Sequence, residues 1–289
     1  MRDLIHSGVL WPALAVLFAS SVIQGIAGLG LALIGVPFLC MWFPMDAAVA
    51  LVTITTVTVS GLIVFRLWSH CNWPRALWLG VPTVLLAPAG VYLLLILTKK
   101  QLYFVIGVVL IVSAIYGWWK LARQKRTAAR LGTTDADGAV AAPPGGVAMD
   151  EAVELEGAGL STTAAAARFS PTKLAAIGSV SGVMGGAVAM NGPLIADYLN
   201  KSGIRPEEYL VTLNVIFLAS AVTRVGLYCA GGLVSAQTMW LALATWPAVV
   251  IGVVLGGKLS RLIPRAAFVR VIDGFLVLIG VYMLIQACR

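Results

Sequence analysis

The chain has 289 residues, of which 60% are hydrophobic and only 11% charged, and its mean hydropathy is +0.95. Soluble domains carry about 25% charged residues, so this composition excludes an ordinary soluble protein and indicates a polytopic membrane protein. The net charge of +8 comes mostly from Lys and Arg that flank the apolar spans, as the positive-inside rule describes. Membrane lipids are therefore expected partners, and nucleic acid is not.

Side chains that commonly carry enzyme chemistry are scarce. The four cysteines lie far apart, without the spacing of a metal or redox site, and the chain has only two histidines. Phosphate-binding, nucleophile-elbow and dinucleotide motifs are absent from the sequence. An intramembrane enzyme would need a nucleophile–base pair or metal ligands at membrane depth, so we expect no enzyme, no cofactor and no metal.

The first predicted element is a broken membrane helix. Residues 7–45 contain no charged side chain, and as one helix they would be about 58 Å long, twice the hydrocarbon thickness of about 30 Å. Gly25, Gly28 and Gly30 predict the break, because glycine leaves the helical conformation at little steric cost. Pro37 is expected in the first turn of the next helix, where its missing N–H does no harm.

Irregular backbone at membrane depth survives only where protein or a water-filled cavity satisfies it. This break is therefore a candidate transport site. The alternative is that the glycines only permit close packing between helices.

The rest of the first half alternates apolar spans and turns. Its predicted spans are 47–65, 76–98 and 101–119. Arg66 ends the first of these, Trp68 and Trp73 are expected as interfacial anchors, and Pro82 and Pro88 are expected to kink the second.

A change in composition divides the chain into three parts. Residues 127–170 are rich in Ala, Gly, Thr and Pro and have few large apolar side chains, which predicts a disordered linker. We therefore expect a first transmembrane repeat at 1–121, a linker at 122–170 and a second transmembrane repeat at 171–289. Basic residues at both ends of the linker predict that it is cytoplasmic.

The second half repeats the pattern of the first. Its predicted membrane segments are a broken segment at 174–196 and spans at 209–230, 236–257 and 271–288. An alignment of the two breaks matches Gly25 with Gly182, Gly28 with Gly185 and, after one gap, Pro37 with Pro193. Paired Gly/Pro-interrupted segments at matching positions indicate the binding site of a secondary transporter.

The predicted fold is an all-α membrane protein built from two inverted repeats. Each repeat has about five membrane segments, the first pair being broken or re-entrant. The odd number places equivalent loops on opposite sides, and the closing hairpins align at a constant spacing, for example Gly90 with Gly256. If each broken segment counts as one helix, the repeats become parallel instead.

Arg224 is the most informative charged residue, because it interrupts a long apolar stretch. A charge at that depth normally faces a cavity or a partner, and a guanidinium suits sulfonate, sulfite or carboxylate oxygens. The alternative is an arginine that extends to the nearby interface. Arg66 is a second candidate cation, with a membrane anchor as its alternative. Asp197 and Asp273 are the acids nearest the membrane and are considered as proton carriers.

Polar uncharged side chains supply the other candidates. Thr53 and Thr56 share one helix face, and Asn214 lies at the equivalent depth in the second half, although such hydroxyls often bond only their own helix. Gln24 and Asn191 each lie at a break, where free N–H groups of a helix start would complete an anion cradle. The candidate substrate-binding residues are Gln24, Gly25, Gly28, Gly30, Pro37, Thr53, Thr56, Arg66, Gly185, Gly186, Asn191, Gly192, Pro193, Asn214 and Arg224.

The two glycine-rich breaks, each closed by a proline, resemble those of the TauE/SafE family of sulfite and organosulfonate exporters. The second motif, with Leu194, Tyr198, Pro206, Tyr228 and Gly232 after it, is the closer match. The resemblance covers nearly the whole chain apart from 122–170. It implies a bacterial-type inner-membrane protein that moves sulfite or a C2–C3 sulfonate outward.

The sequence thus predicts a secondary transporter of a small sulfur-containing anion that works by alternating access between inverted repeats. An anion channel and a carrier of another small organic anion are the alternatives. A neutral or cationic cargo would call for an acidic midplane, which the sequence does not show. The oligomeric state is open, with a homodimer among the alternatives.

Overall fold

In a computed structural model of the chain, the described residues are 10–98, 100–112, 115, 171–202, 204–232, 234–260, 274, 277–278 and 280–287, without the side chains of 200 and 201. The predicted linker at 122–170, Asp273 and much of the predicted last span lie outside these residues.

The described residues are helical, without a strand, which confirms the all-α prediction for this part of the chain. The helices are α1 Leu10–Ala27, α2 Leu31–Leu39, α3 Met45–Leu67, α4 Trp73–Ile96, α5 Lys100–Val112, α6 Pro171–Val188, α7 Gly192–Lys201, α8 Pro206–Ala230, α9 Ala236–Leu259 and the helical residues 280–287, here α10. Five of them, α1, α3, α4, α8 and α9, are long and apolar enough to cross a membrane. The chain is therefore a multi-pass membrane protein.

The long spans follow the predicted ones closely, because length and hydropathy fix them. Side chains set two of the starts: the Asn72 side chain accepts a hydrogen bond from the Arg75 N–H at the start of α4 (3.2 Å), and the Ser235 hydroxyl accepts one from Thr238 at the start of α9 (3.1 Å). Such caps satisfy the N–H groups that a helix start leaves free. Both Pro82 and Pro88 lie inside α4 as expected.

Both predicted helix breaks are present. The first separates Ala27 from Leu31, and the second separates Val188 from Gly192. Gly28 and Gly30 have φ of 77° and 151°, values that L side chains rarely adopt. In the second break Ala189 takes a φ of 61°, so here an alanine holds the left-handed conformation.

The helix ends correct the predicted alignment of the two breaks. Helix α6 ends and α7 begins 161 residues after the corresponding points of α1 and α2. At this spacing Gly28 matches Ala189 and Gly30 matches Asn191, the residue before α7. The alignment of Gly25 with Gly182 and of Gly28 with Gly185 is therefore wrong by four residues, about one helical turn. The error arose because the glycines of α6 lie within the helix rather than at its end.

The prolines also play different roles. Pro193 lies in the first turn of α7 as predicted. Pro37 does not lie in the first turn of α2: it is buried inside that helix, which has already begun at Leu31. The pairing of Pro37 with Pro193 is therefore wrong as well. The first break ends at Gly30, so α2 begins six residues before Pro37, whereas α7 begins one residue before Pro193.

Close glycine contacts join the two halves of the chain. Helix α1 packs along α9 at Gly25 and Gly256, and α4 packs along α6 at Gly90 and Gly186. A Cβ added at Gly25 would lie 2.6 Å from the Val253 carbonyl oxygen, so these backbones approach too closely for any larger residue. Helices α3 and α8 pack against each other as well. Both halves therefore contribute to one helical body.

The contact between α1 and α9 offers a matched test of this packing. Gly256 and Gly257 are neighbours, but an added Cβ at Gly256 would lie 3.0 Å from the Gly25 Cα, whereas at Gly257 it would meet nothing within 4 Å. We expect Gly256→Ala to cost about 1–3 kcal/mol through overpacking, lowering the unfolding temperature in detergent. Gly257→Ala should leave that temperature unchanged or raise it slightly, because alanine favours the helix. Equal effects of the two substitutions would contradict the proposed tight contact.

Candidate functional site

A pocket lies where the two breaks meet. Its walls come from both breaks together with one side chain each of α3 and α8. The lining residues are Gln24, Leu29, Gly30, Leu31, Ala32, Leu33, Thr56, Ala189, Met190, Asn191, Gly192 and Phe217. They include no charged side chain, so most of the wall is apolar and its polarity comes from amides, one hydroxyl and the backbone.

Two helices begin at this pocket. The first residues of α2 and of α7, Leu31 and Gly192, both line it. The N–H groups of a helix's first turn have no partner within the helix, and the helix dipole places a partial positive charge at that end. Two such ends at one pocket favour a negatively charged ligand.

Gln24 connects the first break to the second half of the chain. Its Oε1 accepts a hydrogen bond from the Leu31 N–H (3.1 Å), and its Nε2 donates to Asn214 Oδ1 (3.2 Å). The same Asn214 oxygen accepts from the Ser60 hydroxyl (3.0 Å), while Asn214 Nδ2 donates to the Leu210 carbonyl (2.8 Å). Gln24, Ser60 and Asn214 are all buried. This network therefore ties α1, α2, α3 and α8 together.

Asn191 lies at the second break, where it matches Gly30 of the first break. It precedes the first residue of α7, makes no side-chain capping bond, and is only 5% exposed. Within the described part of the chain its Nδ2 has no hydrogen-bond partner. A Cβ added at Gly185 would lie 2.8 Å from the Asn191 Cβ, so the glycine at 185 makes room for this amide. A buried amide without a partner is costly, which suggests that a ligand supplies the partner.

Arg224 is buried beside this amide, at 1% exposure. Its Nη1 donates to the Gly185 carbonyl and its Nε to the Ser220 carbonyl (3.3 Å). The alternative of an arginine extending to the interface is therefore wrong. Arg224 does not line the pocket, but a Cβ added at Gly185 would lie 3.5 Å from its Nη1. The guanidinium and the Asn191 amide thus border the same glycine.

Tyr228 assists Arg224 from the next turn of α8. It is fully buried, and its hydroxyl donates to the Gly186 carbonyl (3.1 Å). Gly185 and Gly186 lie in the last turn of α6, where the helix dipole is negative. The Gly185 carbonyl also accepts a hydrogen bond from the Ala189 N–H (2.8 Å). A cation and a hydroxyl therefore stabilise the end of the second broken helix.

Arg66, Gly25 and Pro37 are among the candidate residues that do not line the pocket. Arg66 is exposed in the last turn of α3, which matches the membrane-anchor alternative rather than a ligand. Gly25 packs on α9, and Pro37 lies inside α2. The contacts of Gly25 and Pro37 are therefore those of helix packing.

The two threonines behave as the self-bonding alternative describes. The hydroxyls of Thr53 and Thr56 donate to the carbonyls of Val49 and Val52, both at 2.7 Å. Thr56 still lines the pocket and Thr53 does not. Among the remaining candidates, Gly28 and Gly30 shape the first break, Gly186 packs against α4, and Pro193 follows Gly192 in the first turn of α7.

Several site residues were not found from the sequence. Tyr228 follows Arg224 by four residues, which is the spacing of neighbours on one helix face, so that signal was available. Met190 and Phe217 line the pocket, but nothing in their local sequence separates pocket walls from ordinary packing.

The hydrogen bond between Tyr228 and Gly186 can be tested by removing the tyrosine hydroxyl. Tyr228→Phe removes the hydroxyl that satisfies the Gly186 carbonyl, and we expect a loss of about 1 kcal/mol in the free energy of unfolding. Tyr92 is 64% exposed, so Tyr92→Phe is a matched control. Thermal unfolding in detergent should show a lower transition only for Tyr228→Phe. An unchanged transition would argue against the role of this hydroxyl in holding α6.

A family model described as "Sulfite exporter TauE/SafE" matches residues 13–283. The match spans nearly the whole chain and confirms the family resemblance of the sequence. Neither the curated proteins nor the solved structures searched contain a match to this chain.

Proposed function

The chain belongs to the TauE/SafE sulfite exporter family, a family of membrane transporters, and we propose that it exports sulfite or a C2–C3 organosulfonate across a bacterial-type inner membrane. The observation that carries this proposal is the pocket between the starts of α2 and α7, with the unpartnered Asn191 amide in its wall.

The chemistry of the pocket suits a small anion. Sulfite and sulfonate oxygens accept hydrogen bonds from backbone N–H groups and from the Asn191 amide, and electrostatic attraction is stronger in a water-poor membrane interior than in water. The guanidinium of Arg224 adds positive potential from beside Gly185 without occupying the pocket. The lining residues include no Asp or Glu, so a cationic cargo would find no countercharge among them.

The apolar part of the wall favours a cargo with a short carbon chain. Leu29, Leu33, Met190 and Phe217 can contact methylene groups while the amides bind the anionic head. Pockets of this type combine mostly apolar walls with a few placed polar groups. An organosulfonate offers both parts, whereas the inorganic anions sulfite and sulfate offer only the anionic head.

We propose that transport proceeds by alternating access between two inverted repeats. The common spacing of 161 residues between the breaks supports the duplication. The reciprocal packing of α1 on α9 and of α6 on α4 supports a two-fold relation, because each broken helix contacts the fourth segment of the other half. Inverted-repeat carriers place the substrate at the junction of their repeats, where this pocket lies.

The proposal is tested by counterflow in proteoliposomes made with the full-length chain. The panel contains sulfite, sulfoacetate, ethanesulfonate, taurine, sulfate and acetate. Saturable exchange of sulfite or an organosulfonate at low turnover would support a carrier of that anion. Single-channel currents in planar bilayers would show an anion channel instead, and the absence of exchange for every anion would refute the proposal.

Arg224→Gln tests the electrostatic contribution to transport. Removing the buried cation lowers the positive potential at the pocket and weakens the hold on α6, so we expect at least a tenfold loss of sulfite flux. Arg66→Gln removes an exposed arginine of the same type and should retain the flux. Both variants are first checked for a single symmetric peak in size exclusion. Full flux from a well-folded Arg224→Gln protein would remove this arginine from the mechanism.

A further inference from the structure

The two helix starts at the pocket are not equivalent, and we propose that the anion is held mainly by α7 and Asn191. On this view the start of α2 is already occupied by the chain's own Gln24 oxygen. The inference rests on the proposed function, since it concerns how the same pocket holds an anion, and it assigns different roles to two residues that looked alike in the sequence.

At α2 the side-chain oxygen of Gln24 takes the place that an anion would otherwise fill. The Leu31 N–H can only donate and the Leu210 carbonyl can only accept, so the amides between them have one consistent orientation. Asn214 turns its Nδ2 to Leu210 and its Oδ1 to Gln24, which leaves Gln24 Oε1 facing Leu31. Ser60 strengthens this orientation, because its hydroxyl donates to the same Asn214 oxygen. An anion at α2 would have to displace a satisfied, buried amide.

At α7 no side chain of the described residues takes this place. At the spacing of 161 residues the counterpart of Gln24 is Gly185, which has no side chain. Asn191 lines the pocket and is 5% exposed, and its Nδ2 has no hydrogen-bond partner among the described residues. Asn191 lines the pocket directly before a helix of ten residues. On the proposed assignment its amide N–H and the backbone N–H groups of the first turn form the anion seat.

The electrostatic potential points to the same end. Arg224 lies against Gly185, and so does Asn191, which places the buried cation on the α7 side of the pocket. The α2 side instead presents the Gln24 oxygen, which carries a partial negative charge. A single anion is therefore attracted more strongly to α7 than to α2.

The second residue of each helix provides a direct comparison. Pro193 lies in the first turn of α7 and lacks an N–H, so Gly192 and Leu194 supply the backbone donors there. Its counterpart in α2 is Ala32, which retains its N–H and lines the pocket. Proline is tolerated in a first helical turn, so Ala32→Pro removes one donor from α2 alone.

The experiment measures KM and maximal rate for sulfite uptake into proteoliposomes containing the full-length chain. Asn191→Leu should raise KM at least tenfold, and Asn191→Asp, which puts a carboxylate in the seat, should raise it further. The increase in KM caused by Ala32→Pro should be at most one fifth of the increase caused by Asn191→Leu. Arg66→Gln is the unaffected control, and every variant is checked for monodispersity and thermal unfolding.

Equal increases in KM for Ala32→Pro and Asn191→Leu would overturn the inference, as would an Asn191→Leu protein with unchanged KM. If Ala32→Pro does not fold, Gln24→Met makes the comparison, because it removes the oxygen without adding charge. The increase in KM for Gln24→Met should again be at most one fifth of the increase for Asn191→Leu. A larger increase would indicate that Gln24 is itself an anion ligand. A wild-type protein that moves no anion of the panel would refute the proposed function itself, whatever the variants do.

Discussion

The architecture depends on one constraint: backbone groups released by a helix break inside a membrane need partners from the protein itself. Both breaks meet this need through α8. Asn214 orients Gln24, whose oxygen binds the first N–H of α2, while Arg224 and Tyr228 bind the last carbonyls of α6. One continuous helix thus holds two discontinuous ones, although α8 belongs to the second half of the chain.

The glycines illustrate why a residue pattern can support two interpretations at once. The sequence left open whether they break helices for a site or permit close packing, and the structure contains both. Gly28 and Gly30 have positive φ and form the break, whereas Gly25 and Gly186 let neighbouring backbones approach. Both roles favour a residue without a Cβ, so the residue type alone does not separate them. The predicted alignment therefore paired glycines of different kinds.

The long spans, the existence of two breaks and the burial of Arg224 were predictable from sequence, because hydropathy and an isolated charge are strong local signals. The register of the second break was not, since it depends on Ala189 in a conformation that alanine rarely adopts. The partners of Arg224 were not predictable either: they are backbone carbonyls, which leave no trace in the residue types. Contacts of Gln24 with Asn214 join residues far apart in the chain, beyond the reach of any local pattern.

The choice of carbonyls as partners for Arg224 has a consequence for anion binding. A carboxylate would satisfy the guanidinium but would cancel its charge, whereas a helix C-terminus carries only about half a negative charge. The hydrogen-bond partners of Arg224 are the carbonyls of Gly185 and Ser220, so this buried cation is stabilised without being neutralised. The remaining positive potential lies beside Asn191 and the start of α7. If the proposed anion binds at this pocket, this arrangement attracts it without direct contact with a fixed charge, because Arg224 does not line the pocket.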